Sequence, residues 1–210
     1  MVTIATKPMS AAEFFEFVHR PASAGRWFEL ERGEVIELPP PGKKHGFVCN
    51  VLAWLLTNYS IRVTRGYVCT NDTGMVVEEN PDTVRGVDVS YYDDDVDAAT
   101  METGYAYVPP LVAAEVLSPS DKPGRVLRRI SEYLKRNVSL VWIIDPENRT
   151  VTTYCRGRDP VTLDETQELT GDDVLPGFGC RVAELFRSPG GRRGRVKKNG
   201  KGPRGKKPRR

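Results

Sequence analysis

Long apolar runs, paired cysteines and the familiar nucleotide-binding signatures are all missing from this sequence. No stretch approaches the roughly 18 apolar residues of a membrane-spanning helix, which excludes one. The opening MVTIATKPMSAAEFF has no charged-then-greasy leader, so export is not expected and a cytoplasmic location is. Cys49, Cys69, Cys155 and Cys180 lie far apart without a CxxC pair, which argues against a disulfide scaffold or zinc ribbon and for reduced thiols. Neither a GxxxxGK[ST] loop nor a Gly-x-Ser-x-Gly elbow occurs, so NTPase and serine-hydrolase chemistry lack support. Acid is absent from residues 187–210, which hold 12 of the 31 Lys+Arg and none of the 28 Asp+Glu. Past Ser188 this tail has Val196 as its one aliphatic residue and no aromatic. It cannot offset its chain entropy by burial, so disorder is expected from about Ser188. Arg192, Arg193, Arg195, Lys197, Lys198, Lys201, Arg204, Lys206, Lys207, Arg209 and Arg210 form a cationic segment suited to phosphate backbones through counterion release. Without aromatics it has no means of stacking on bases.

What remains is an ordinary globular composition, 39% hydrophobic and 28% charged over 210 residues, which suits one domain at 1–187 followed by the tail at 188–210. The body carries a net charge of −9 against +12 for residues 187–210. Ser10 followed by Glu13 is a capping-box pattern that opens a short helix to about His19. WFELERGEVIEL alternates around Arg32-Gly33, as in two strands and a turn. Apolar residues at helical spacing predict a helix over 46–62. Strand-like pieces follow at 67–70, 74–78 and 86–92. LVAAEVLS and SLVWIID read as buried central strands on either side of a helix at 124–137. A hairpin over 149–168 and a short helix at 181–186 complete the domain. The expected fold is α/β, a mixed central sheet of four or five strands with helices on both faces and a hairpin at each end.

The informative residues are acids inside those greasy strands. Glu115 lies between Ala114 and Val116, and Asp88 between Val87 and Val89. A buried carboxylate is costly unless paired or bound to a cation. A salt-bridged Glu at a strand end would satisfy the pattern once. Its recurrence on a second strand points to a shared divalent cation such as magnesium. On the intervening helix Val126, Leu127, Ile130, Tyr133 and Leu134 form the expected buried arc, with Arg128 opposite in solvent. Arg129 falls on the margin of the arc, from which its long side chain reaches the sheet. Asp121 is read as a helix cap and Asp145 as the end of a strand.

In order along the chain, FELERGEVIELPPPGKKHGFV, VRGVDVSYY, LVAAEVLSPSD, RRISEYLKRNVSLVWIIDP and DDVLPGFGCRVAELF resemble the family described as "putative restriction endonuclease", the Uma-two group of the PD-(D/E)XK nuclease superfamily. The resemblance spans about residues 8–187. It implies a restriction-endonuclease-like fold and metal-dependent cleavage of DNA with Mg²⁺ or Mn²⁺. Asp88 takes the place of the superfamily's metal-binding Asp, with Val87 where the family usually has proline. Glu115 corresponds to the acid of the (D/E)XK half, and Leu117 stands at the usual lysine position. This family carries its lysine on the next helix, and the matching residue here is Arg129. Arginine holds phosphate but cannot act as a general base. Glu29 matches a family acid near the metal, the Val116 carbonyl is a further candidate ligand, and His45 matches a family histidine suited to phosphate or water contact. The arginine also implies the alternative of a nuclease fold that binds nucleic acid with impaired turnover. DNA is the expected partner, no membrane is, and the resemblance leaves room for a homodimer.

Overall fold

Ser10 caps the first helix as its spacing predicts. Its Oγ accepts the Glu13 N–H at 3.2 Å, and the Glu13 carboxylate accepts the Ser10 N–H at 2.8 Å. The computed structural model describes residues 7–94 and 96–188, so the cationic residues from Arg192 to Arg210 lie outside the described residues. Helix α1 (Ala11–Val18) is followed by strands β1 (Trp27–Glu31) and β2 (Glu34–Leu38). They turn at Arg32 and Gly33, both at positive φ, and Gly33 also packs where a Cβ would meet Pro8 at 2.3 Å. Helix α2 (Lys43–Val63) begins three residues before the expected start, which brings His45 into its first turn.

Strand β3 (Tyr67–Glu78) joins the two pieces expected at 67–70 and 74–78 through an irregularity at Asn71 and Asp72, both at positive φ. Then come β4 (Thr83–Tyr92), β5 (Val112–Val116), α3 (Pro123–Lys135), β6 (Leu140–Asp145), β7 (Thr150–Cys155) and β8 (Val161–Leu163). These strands form one eight-stranded mixed sheet in the order β2-β1-β4-β5-β6-β7-β8, with β3 also paired to β4. The sheet is wider than the four or five strands expected, because both hairpins join its edges. A separate pair, β9 (Glu168–Gly171) and β10 (Leu175–Arg181), precedes the closing α4 (Val182–Leu185).

The parallel β5–β6 pair is crossed over by α3, and its residues are all but completely buried, as their continuous apolar character requires. Alternate residues of these strands feed two layers. Ala114, Val116, Trp142 and Ile144 pack beneath α2 and the β9–β10 pair. Ala113, Val141 and Ile143 pack beneath Ile130 and Tyr133 of α3. Leu127 is an exception to the expected arc, 60% exposed. Helix α3 turns Glu132 inward instead, where Arg85 neutralises it with two hydrogen bonds of 2.7 and 2.8 Å. A matched ionic pair therefore takes the place an aliphatic residue would have filled. Arg128 is exposed as expected and pairs with Glu31.

Candidate active site

Strand β4 has β3 along one edge, whereas its other edge is shared. Val84 pairs with Leu30 of β1, and the ladder with β5 begins only at Val89 opposite Ala114. Between them, residues 85–88 face a fork in the sheet. Backbone donors at the fork are met by carboxylates: the Gly86 N–H donates to Glu29 Oε1 at 3.2 Å, and the Val116 N–H to Asp88 Oδ2 at 2.7 Å. The regular alternation of β4 also slips here. Val87 packs with the α3 layer and Val89 with the α2 layer, although they are two residues apart. Asp88 lies between these two valines and bonds His45 of α2 and the Val116 N–H of β5. Opposite, the β3 irregularity carries Asp72 over Gly86, where a Cβ would lie 2.9 Å from that of Asp72. The absence of a side chain at Gly86 is what admits a second aspartate to the fork.

The result is a pocket of about 350 Å³ whose walls include Glu29, His45, Asp72, Asp88, Glu115, Val116, Asp121 and Arg129. Glu29, Asp88 and Glu115 are 3%, 7% and 5% exposed. On the α3 side Arg129 donates one Nη to Glu115 and the other to Glu29 at 2.9 Å, and the Tyr133 hydroxyl donates to Glu115 Oε1 at 2.6 Å. Arg85 braces Glu29 from behind at 3.2 Å while held by Glu132. On the α2 side His45 Nε2 lies 3.1 Å from Asp88 Oδ2, and His45 Nδ1 lies 3.5 Å from the Cys49 sulfur.

Burial, reinforced by neighbouring acids, governs the titration of the site. Burial pushes Glu115 up to about 8; Arg129 opposes this and the Asp88 charge reinforces it. Burial, then the neighbouring Asp88, pushes Asp72 up to about 6. The hydrogen bond to Asp88 raises His45, with burial opposing. Burial and the same acids push the Cys49 thiol far up, so it stays protonated and unreactive. Four of the pocket's carboxylates, Glu29, Asp72, Asp88 and Glu115, thus crowd together; Arg129 neighbours Glu115 and Glu29, Arg85 also holds Glu29, and Glu115 and Asp72 hold protons more tightly than usual. Among the described residues neither Asp72 nor Asp88 pairs with an arginine, and such hard oxygen donors fit a small divalent cation such as Mg²⁺. Asp88, Glu115 and Glu29 would hold it. His45, Cys49 and Asp88 also cluster closely enough to share an ion.

The residues singled out from sequence therefore meet at one place: Glu29, His45, Asp88, Glu115, Val116 and Arg129 all line the pocket. Val116 reaches it with its N–H on Asp88. Asp121 does not cap α3, whose N-cap is Lys122 without a side-chain bond. Its carboxylate instead folds back on the Ser118 N–H at 2.7 Å and so shapes the pocket's rim. Asp145 ends β6 as expected, accepting the N–H groups of Glu147 and Asn148. Asp72, Tyr133 in its polar role, and the Arg85–Glu132 pair were not foreseen. The signal for Asp72 was Asn-Asp, a turn-forming pair, interrupting a strand pattern.

The profile of the family described as "Putative restriction endonuclease" matches residues 13–183, nearly the whole described chain. The chain belongs to this family. Its fold agrees with that of a crystal structure from Anabaena variabilis described as "a putative nuclease", with a TM-score of 0.71 and 17% sequence identity over 85% of this chain and 98% of the other. No curated protein matches the chain. Family membership supports a nuclease, and the restriction-endonuclease-like fold expected from the resemblance is the one observed. Among the described residues no helix is long and apolar enough to cross a membrane.

Proposed function

We propose that this family member is a metal-dependent endonuclease that hydrolyses phosphodiester bonds in DNA. The observation that carries the reading is the convergence of Glu29, Asp88 and Glu115 with Arg129 in one pocket at the fork of the sheet. Bound Mg²⁺ or Mn²⁺ supplies an acidified water and a brace for the scissile phosphate. Asp88 is oriented for its ligand role by the Val116 N–H and His45, and Glu29 by Arg85 and the Gly86 N–H. The Val116 carbonyl is the remaining oxygen candidate. Arg129 never gives up its proton, so it serves as a clamp: its guanidinium faces the pocket and steadies negative charge on non-bridging oxygens. Tyr133 fixes one oxygen of Glu115 and leaves the other to Arg129. The basic tail, charged and without aromatics, concentrates DNA near the site without reading sequence.

Plasmid nicking in millimolar Mg²⁺ or Mn²⁺ tests the proposal. The wild-type chain nicks, and Asp88→Ala or Glu115→Gln loses at least about 100-fold of that activity along with the metal-induced rise in melting temperature. Equal nicking by Asp88→Ala overturns the assignment.

A second reading is favoured by one contact. Arg129 closes directly on Glu115, as a lysine with a single charged nitrogen would not do bidentately across Glu115 and Glu29. In that reading the protein binds nucleic acid and turns over poorly. Arg129→Lys distinguishes the two: an increase in nicking from a nearly inert parent supports impaired turnover, and a loss from an active parent supports the clamp.

A further inference from the structure

We propose that the apolar wall of the pocket holds an unpaired base next to the bound phosphate, so that the protein acts on single-stranded or locally opened DNA in preference to closed duplex. The inference rests on the nuclease reading of the carboxylates and adds the state of the substrate to it.

The argument starts from strand alternation. In β1, Phe28 and Leu30 turn toward α1, while Glu29 faces Arg129 of α3. Trp27 shares the face of Glu29 one pleat away, about 7 Å along the strand. It lines the same pocket and is 37% exposed, although it is an aromatic residue in a paired strand. Beside it Pro39, Pro40 and Pro41 continue the wall, and Leu117 and Pro119 face the pocket from the β5 end. An apolar wall thus adjoins a nest of carboxylates within one cavity. Phosphate and metal account for the acids and Arg129, but neither has use for an indole and three prolines. A flat, weakly polar group attached to the phosphate does, and the base of a nucleotide is that group.

Depth and charge both disfavour closed duplex. Glu29, Asp88 and Glu115 are at most 7% exposed, so the phosphate must enter the cavity to reach them. A duplex is a stiff rod with its bases stacked inside, and seating one of them against the Trp27 wall requires unstacking it first. A single strand has no such cost. The body also carries a net −9, with Arg125 and Arg129 as the cations lining this pocket, which is a poor surface for the dense charge of a duplex.

Anisotropy of labelled oligonucleotides bound to the full chain in EDTA tests the idea without turnover, at 200 mM salt to weaken the tail's contribution. Oligo(dT) is expected to bind about ten-fold more tightly than a hairpin duplex of equal length. Trp27→Ala removes that preference and Trp27→Tyr keeps it. In Mn²⁺, a duplex with a central bubble is cut faster than the closed duplex. Equal binding of the two oligonucleotides by the wild type, or a preference unchanged in Trp27→Ala, overturns the inference even if nicking is robust. A Trp27-dependent preference in a protein that never nicks upholds the base site and overturns the nuclease reading instead.

Discussion

Asp72 shows how one residue's surroundings set its chemistry. Nothing in its own side chain distinguishes it from the exposed aspartates, yet burial beside Asp88 raises it from 3.8 to about 6. An acid whose pKa is raised on folding binds more protons in the folded state. Its contribution to stability is therefore present below pH 4 and is lost as the pH rises through about 6. The loss is on the order of 1–2 kcal/mol once partial solvent screening is allowed for. In metal-free buffer, Asp72→Asn should raise the melting temperature above pH 7 by about 3–6 °C and leave it unchanged near pH 4, as a thermal scan at both pH values would read. The sequence marked only a break in the strand at Asn71-Asp72; that the break would carry Asp72 to the other acids depends on the approach of β3 to Gly86, which no local pattern encodes. Asp88 and Glu115 were legible, because a charge within an apolar strand is conspicuous before any neighbour is known.

Helix α3 is the element on which the site depends most. Its polar inward face, Arg129, Glu132 and Tyr133, meets Glu115, Glu29 and Arg85 rather than aliphatic side chains. Such buried pairs hold position more than they add stability. Removing one partner leaves a charge stranded: Arg85→Met alone should cost about 3–5 kcal/mol in urea unfolding. The double variant Arg85→Met with Glu132→Leu should recover most of that loss and still lower nicking, because Glu29 would no longer be braced. Full activity in the double variant would show that Arg85 has no positioning role. The helix was legible from its spacing, and so was most of its inward face: Val126, Ile130, Tyr133 and Leu134 pack on the core as expected, and Leu127 alone departs. Hydrophobic periodicity put Leu127 inside, whereas the pairing of Arg85 with Glu132 turned it out.

At the scale of the whole molecule, charge is divided between an acidic body and a basic terminus. Deleting residues 188–210 should weaken DNA binding at low salt and flatten the dependence of log affinity on log salt by several units, since each neutralised phosphate contributes about 0.9. The metal-dependent chemistry of residues 1–187 should survive at high DNA concentration. An unchanged salt slope on deletion would show that the body itself makes the phosphate contacts.

The order of elements, the buried central strands and the two candidate acids Asp88 and Glu115 were legible in the sequence alone, because apolar runs must be buried and an acid within one must be compensated; Glu29 and His45 stood out only through the family resemblance. The tertiary structure decided the rest. Whether strands at positions 27–31 and 112–116 would both abut β4 and leave a fork between them is a matter of long-range pairing, which no local period encodes. That fork admits Asp72, faces Arg129 toward two acids and sets Trp27 beside them, since backbone groups left unpaired between two strands must be met by side chains.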